Sequence, residues 1–175
     1  GVALVALNRC EYDVSMEYAR RALASNPDLV DSKMNLGMSL VAMKRWREGW
    51  LGYNAKVGLD KNRKERIYGK ETRWQGEKDK RIACYGEQGV GDEISFSSCV
   101  PDLIRDSSRV MIECDGRLEG LFKRSFPRAD VHGTRYKLDV PLKLREMTFD
   151  HRVAIGELAQ FYRNADDEFP GTPYL

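Results

Sequence analysis

The sequence predicts an α/β fold: a parallel sheet with helices on both faces, preceded by an all-α helical segment. Residues 81–105, RIACYGEQGVGDEISFSSCVPDLIR, run from a short apolar segment through a glycine-punctuated turn into apolar positions at Ile94, Phe96, Val100, Leu103 and Ile104. Strand, glycine turn, helix is the usual opening of a parallel α/β sheet, and ligands sit at that junction. Further strand-sized apolar runs alternate with helix-period segments, as such a sheet requires. Ahead of them, residues 1–58 are helical in pattern and repeat with an offset of 34, which aligns Val2-Ala3 with Leu36-Gly37 and Tyr12 with Trp46.

That offset is the period of tetratricopeptide helix pairs, and the residues resemble the repeat. Tyr12-Asp13, Tyr18, Ala22-Leu23 and Asn26-Pro27 match the second helix and closing turn of one copy. Met34-Asn35-Leu36-Gly37 opens the next first helix, and Trp46-Arg47-Glu48-Gly49-Trp50 opens its partner. The small residue expected at the tight helix crossing is Ser15 in one copy and Gly49 in the other. About one and a half repeats are present, fewer than the roughly three needed for independent stability. The helices are therefore expected to pack on the α/β part or on another copy of themselves, or to be the end of a longer array. They would act as a scaffold and dimerisation surface, or as a peptide-binding groove.

Residues 59–79 read as a linker. Lys61-Asn62-Arg63-Lys64-Glu65-Arg66 is a charge run of the solvated kind, and Trp74, in an otherwise polar stretch, is expected to dock against the sheet domain. Residues 80–175 read as that domain. Ile82-Ala83-Cys84-Tyr85 is its first buried strand, and Arg109-Val110-Met111-Ile112-Glu113-Cys114 the second, with a turn at Asp115-Gly116. Leu118, Leu121 and Phe122 give the next helix its apolar face, and Phe126-Pro127 stops it. Ala129-Asp130-Val131-His132 is a short third strand. Leu138-Asp139-Val140-Pro141-Leu142 is a fourth, kept short or at an edge by its proline. Ile155, Leu158, Ala159, Phe161 and Tyr162 mark a last helix before a proline-punctuated tail.

Composition and spacing argue against several functions. The 175 residues are 42% hydrophobic and 32% charged with a net charge of +2, which makes no case for nucleic acid or a membrane surface. No stretch approaches the roughly 18 apolar residues of a membrane span. The opening GVALVAL lacks the charged region and cleavage site of a signal peptide. Cys10, Cys84, Cys99 and Cys114 form no C-x-x-C pair. They read as free thiols of a cytoplasmic protein rather than as disulfides or zinc ligands. His132 and His151 have no acidic partner at ligand spacing, so no metal site is expected.

The loop after the first strand is not a P-loop, because Asp92-Glu93 follow Gly91 where a Lys-Ser/Thr pair is needed. Nor is it a dinucleotide fingerprint, because Ile94 stands where the third small residue belongs. Glu87, Asp92 and Glu93 would repel a pyrophosphate at the helix N-terminus. They suit a neutral, hydroxyl-rich ligand or the role of a proton-accepting carboxylate.

Trp74-Gln75-Gly76-Glu77, Gly86-Glu87-Gln88-Gly89-Val90-Gly91-Asp92-Glu93-Ile94-Ser95-Phe96, Pro101 and Pro173-Tyr174-Leu175 together resemble a bacterial family. Its members are tetratricopeptide proteins whose second part is similar to the heptosyltransferase (ADP-heptose:lipopolysaccharide) glycosyltransferases. The resemblance covers nearly the whole chain, and E-Q-G-x-G-D is its most specific piece. It implies a GT-B architecture of two Rossmann-like domains, the first binding the acceptor and the second the nucleotide-sugar. The chain would then hold the helical preface and the first Rossmann-like half, ending where the donor half begins.

Heptosyltransferases carry an S-x-G-D loop here, whose Asp is the proposed base. Gly91-Asp92 carries that over and marks Asp92 as the candidate catalytic residue, with Glu87, Gln88, Gly89 and Gly91 lining the acceptor site. The Glu87-Gln88 variant departs from S-x-G-D and leaves the substrate open. No cofactor is expected in this chain, since the nucleotide-sugar would be held by the second domain, and the chain alone is expected to be inactive. The implied partners are a glycan or protein acceptor, a protein docked on the helices, and a second copy of the chain.

Two functions stand side by side: the acceptor half of a glycosyltransferase, or a non-catalytic tetratricopeptide interaction protein. For Asp92 the alternative to a base is a helix N-cap, since it follows a glycine and precedes an amphipathic run.

Overall fold

The computed structural model of the chain describes residues 1–59, 63–135 and 139–175. They fall into two compact units, Gly1–Lys61 with Ala159–Pro170, and Asn62–Leu158 with Gly171–Leu175. Residues 63–79 thus group with the sheet, and residues 159–170 with the helices.

In the helical unit α1 (Val2–Asn8), α2 (Tyr12–Ser25), α3 (Val30–Ala42) and α4 (Trp46–Tyr53) follow one another. The turns that end α1 and α3 are copies of each other, 34 residues apart. Cys10 and Lys44 take positive φ of 60° and 61°. The next N–H then reaches back into the helix, Glu11 N to Ala6 O at 2.9 Å and Arg45 N to Leu40 O at 2.9 Å. This is the left-handed C-terminal turn that satisfies the last helical carbonyls. Ser15 is buried, with its hydroxyl 2.9 Å from that of Ser39. At Gly49 a Cβ would come within 2.8 Å of the Val41 nitrogen. Small residues therefore sit where these helices approach most closely. Residues 159–170 complete the unit: Trp50 Nε1 donates to Arg163 O at 2.6 Å, and Trp46 Nε1 to Asp166 Oδ1 at 2.7 Å.

In the other unit, among the described residues, β1 (Thr72–Arg73), β2 (Arg81–Tyr85), β3 (Arg109–Glu113), β4 (Asp130–His132) and β5 (His151–Ala154) form a five-stranded sheet. The order is β1-β5-β2-β3-β4 and every pairing is parallel. Four consecutive residues are buried in each of β2 and β3. Unbroken burial instead of alternation is what a parallel sheet covered on both faces demands. Between strands lie α5 (Val90–Phe96), α6 (Val100–Asp106), α7 (Glu119–Ser125) and α8 (Leu142–Arg145), and α9 (Ala159–Tyr162) begins the return to the helical unit.

The elements differ from expectation in four places. Of the anticipated strand 138–142, Leu138 lies outside the described residues, and Leu142 opens α8 with Pro141 at its N-cap. The strand beside β2 is instead β5, whose apolar part is only Val153-Ala154, too short to stand out in the sequence. The anticipated last helix is split into a 3-10 turn, Ile155–Glu157, and the four-residue α9. Residues 72–74 are also part of the sheet rather than linker. Trp74 is buried, and its N–H donates to Arg152 O at 2.9 Å.

The chain steps from β2 to β3 to β4 on one side, then crosses to place β5 on the other side of β2. The switch point lies between β2 and β5.

Candidate functional site

At a switch point the loops leaving two adjacent strands diverge, and their carboxyl ends frame the crevice in which open α/β sheets bind ligands. Glu87 and Gln88 follow β2, and Gly156 and Glu157 follow β5. Glu87 is 4% exposed although its turn reads as polar surface. Its Oε1 accepts from Arg63 Nη2 at 2.9 Å and from Gln88 Nε2 at 3.0 Å. Its Oε2 is buried and has no hydrogen-bond partner among the described residues. An acceptor left in that state costs about 1–3 kcal/mol. Gly156 is pressed against the group: a Cβ there would lie 2.6 Å from Glu87 Oε1, 2.9 Å from Gln88 Nε2 and 3.2 Å from Arg63 Nη2. The missing side chain at 156 is what lets the loops meet.

Glu157 accepts from Arg73 Nη2 at 2.8 Å and from the Ala154 N–H at 3.1 Å. Burial pushes its carboxyl above the usual range, and the charge of Glu87 adds to this against the pull of Arg73. Two further acids are buried near the ends of β2 and β3. Glu113 takes both Arg66 nitrogens at 2.9 and 2.6 Å, the Tyr68 hydroxyl at 2.6 Å and the Thr134 hydroxyl at 2.8 Å. Burial alone would raise Glu113, but these donors outweigh it and its carboxyl sits below the ordinary glutamate range. Glu93 accepts from the Asp115 N–H at 2.9 Å and from Arg135, and burial still holds its carboxyl high.

The arginines that neutralise Glu87 and Glu113 come from the expected linker. Arg63 is 3% exposed and is no part of a solvated run; Lys61 and Asn62 of that run lie outside the described residues. The physical reason is that a buried carboxylate without a partner costs several kcal/mol. The counter-ions had to come from somewhere, and residues 63–66 supply two of them.

The expected site residues do not all gather. Glu87 and Gln88 meet at the switch point. Gly89 and Asp92 form a second pair. Gly89 is the N-cap of α5, so Asp92 stands at the third helical position and not at the cap expected for it. From there its Oδ2 accepts the Gly89 N–H at 3.0 Å, the returning half of a capping box. Gly91 is exposed with nothing within 4 Å of where a Cβ would point, so no close approach there demands a glycine. Gly86 does the steric work, because a Cβ on it would overlap the Glu93 carboxylate. Tyr174 of the tail donates to Ile94 O at 3.1 Å and so ties the Pro-Tyr-Leu segment to α5.

Sequence reasoning missed Arg63, Gly156 and Glu157. Only Gly156 left a trace, as a glycine inside a helix-period run. Among the described residues no group of three or more His, Cys, Asp or Glu side chains is arranged to hold a metal ion, and no helix is long and apolar enough to cross a membrane. All four cysteines are free, and burial pushes the Cys114 thiol up to about 12.

Over 166 residues the chain is 29% identical to Protein FlbA of Caulobacter vibrioides. The match takes in 88% of this chain and 28% of FlbA, so the chain spans less than a third of that relative's length. No protein-family model matches the chain, and no solved structure matches it.

Proposed function

We propose that the sheet unit is the acceptor-binding half of a GT-B glycosyltransferase, and that the helical unit is a tetratricopeptide-like preface to it. The observation that carries this reading is a parallel sheet whose switch point is lined by Glu87 and Gln88, on the loop that leads into α5 and Asp92. For the preface, the support is the pair of identical helix-ending turns 34 residues apart. In the proposed reaction an acceptor hydroxyl attacks the anomeric carbon of a nucleotide-sugar. The new C–O bond forms as the bond to the nucleoside diphosphate breaks, and the leaving diphosphate keeps the electron pair. The hydroxyl proton passes to the Asp92 carboxylate.

Asp92 stands at the third position of α5, where its Oδ2 accepts the Gly89 N–H at 3.0 Å and the carboxylate is held in place. It would receive the proton late, after the acceptor oxygen has begun bonding to the sugar. Glu87, Gln88 and Gly89 line the same loop, with Gly91 at its exposed edge.

Asp92→Asn, assayed for sugar transfer in the full reading frame that encodes this chain, tests the assignment. The expected result is a melting temperature within a few degrees of wild type and a loss of turnover on the order of 10²–10⁴-fold, the usual contribution of a positioned proton acceptor. Near-normal turnover would leave Asp92 as a helix-capping residue only.

A second reading, an interaction protein without catalysis, is favoured by one feature. The helical unit holds a groove of about 230 Å³ lined by Leu23, Lys33, Leu36, Leu40, Glu48 and Leu51. Its apolar floor with charges at the edge suits an amphipathic peptide.

A further inference from the structure

We propose that Glu87 accepts a hydrogen bond from a hydroxyl of a neutral sugar in the crevice between β2 and β5, and that Gly156 is the residue that positions it. This rests on the acceptor-half reading and narrows it from a loop to one carboxylate and one backbone contact.

The neighbouring buried acids set the standard by which Glu87 is unusual. Glu93, Glu113 and Glu157 each have a donor on both carboxylate oxygens. Glu87, with its side chain fully buried, has donors on Oε1 alone among the described residues. It is also the one of the four that stands on the loop leaving β2 at the switch point, opposite Gly156 of the β5 loop.

A buried acceptor lacking a donor is complementary to an O–H or N–H group. An anionic ligand is disfavoured, because Glu87 and Glu157 stand together there. A cationic one is not needed, because the Arg63 and Arg73 guanidiniums already balance those two charges. A neutral hydroxyl remains. Gln88 is the half-buried member of the cluster and its amide bonds Glu87 Oε1, so on this proposal a ligand reaches the carboxylate by displacing the Gln88 side chain. Gly156 fixes the depth of the crevice. An alanine there would drive its methyl into Oε1 and Gln88 Nε2 and push the carboxylate out of place.

The test is a titration of the full ¹⁵N-labelled chain with D-glucose, using the fully O-methylated methyl glucoside as a probe of similar ring shape with every hydroxyl donor removed. Glucose is expected to shift the Gly156 amide and the Gln88 side-chain amide, and the methylated sugar to leave both in place. Gly156→Ala and, independently, Glu87→Gln are each expected to weaken glucose binding on the order of tenfold or more, with the amide pattern of β3 and β4 unchanged. Overturning results are an absence of glucose shifts, equal shifts from the methylated sugar, or wild-type affinity in either folded variant. So is a crystal structure in which a bound water donates to Glu87 Oε2 and stays there in saturating glucose. If glucose binds as described while the full reading frame transfers no sugar, the enzyme reading fails and this subsite stands. If the frame transfers sugar while Glu87 is indifferent, the reverse holds.

Discussion

The helical unit and the carboxyl edge of the sheet solve the same problem, close approach of chain segments, by opposite chemistry. In the helices, backbones approach because side chains are small or missing. Ser15 meets Ser39, and a Cβ on Gly37 would overlap the backbone of Gly52 and Tyr53. At the sheet edge, loops approach because buried carboxylates are matched one by one with arginines, Arg63 with Glu87, Arg66 with Glu113 and Arg135 with Glu93. The first solution is built from local repetition and tolerates exposure, and Val5 and Leu51 remain 52% and 68% exposed. The second admits no partial version, because a buried charge that loses its partner is worse than none. A region held by such pairs is rigid where they are complete. Where one oxygen is left over, as on Glu87, the pairing is incomplete among the described residues.

The comparison breaks most sharply at Glu113. Glu113→Gln leaves Arg66 facing a neutral group in a buried site and is expected to cost about 3–5 kcal/mol of stability, read as a lower urea midpoint. The same variant has a pH signature. Because the folded carboxyl titrates below its unfolded value of about 4.3, its stabilisation is complete above that pH and is lost as pH falls through the folded value. Wild type should therefore lose stability on acidification more steeply than the glutamine variant. Equal slopes would mean Glu113 is not the acid-sensitive group.

In the helical unit the larger effect is expected at the crossing of α3 and α4. Gly37→Ala forces a methyl into the backbone of α4 and should cost about 1–3 kcal/mol, seen as a fall in helical signal at lower temperature. A neutral outcome would show that the helices can slide apart at no cost. The smallest effect belongs to Ser15→Ala. It removes the contact with Ser39, but the Ser39 hydroxyl still lies 2.9 Å from Asn35 O, so no donor is stranded. About 0.5–1.5 kcal/mol is expected, and a loss as large as that at Glu113 would erase the distinction between the two regions.

Local pattern was enough for the parts of the fold whose signal lies within a few residues. The apolar runs of β2, β3 and β4, the stop at Phe126-Pro127 and the 34-residue helix offset were all legible, because burial on both faces and helix ends leave composition and period behind. β5 was not legible, since His151 and Arg152 are polar and are made strand by pairing with Ile82 and Ala83 on one side and Thr72 and Arg73 on the other. At the site, the sequence marked the Glu87–Asp92 loop. It did not mark which of its carboxylates would be buried, nor that Asp92 would stand one turn inside the helix rather than at its cap. The place of Asp92 follows from its local contact with the Gly89 N–H, whereas the burial of Glu87 and its neighbours Glu113 and Glu93 depends on Arg63, Arg66 and Arg135, which lie 24, 47 and 42 residues from their partners. A charge run looks the same in sequence whether water or a buried carboxylate solvates it. Only the tertiary structure decides, because the cost of burying an acid is set by what stands opposite it and not by what stands beside it in the chain.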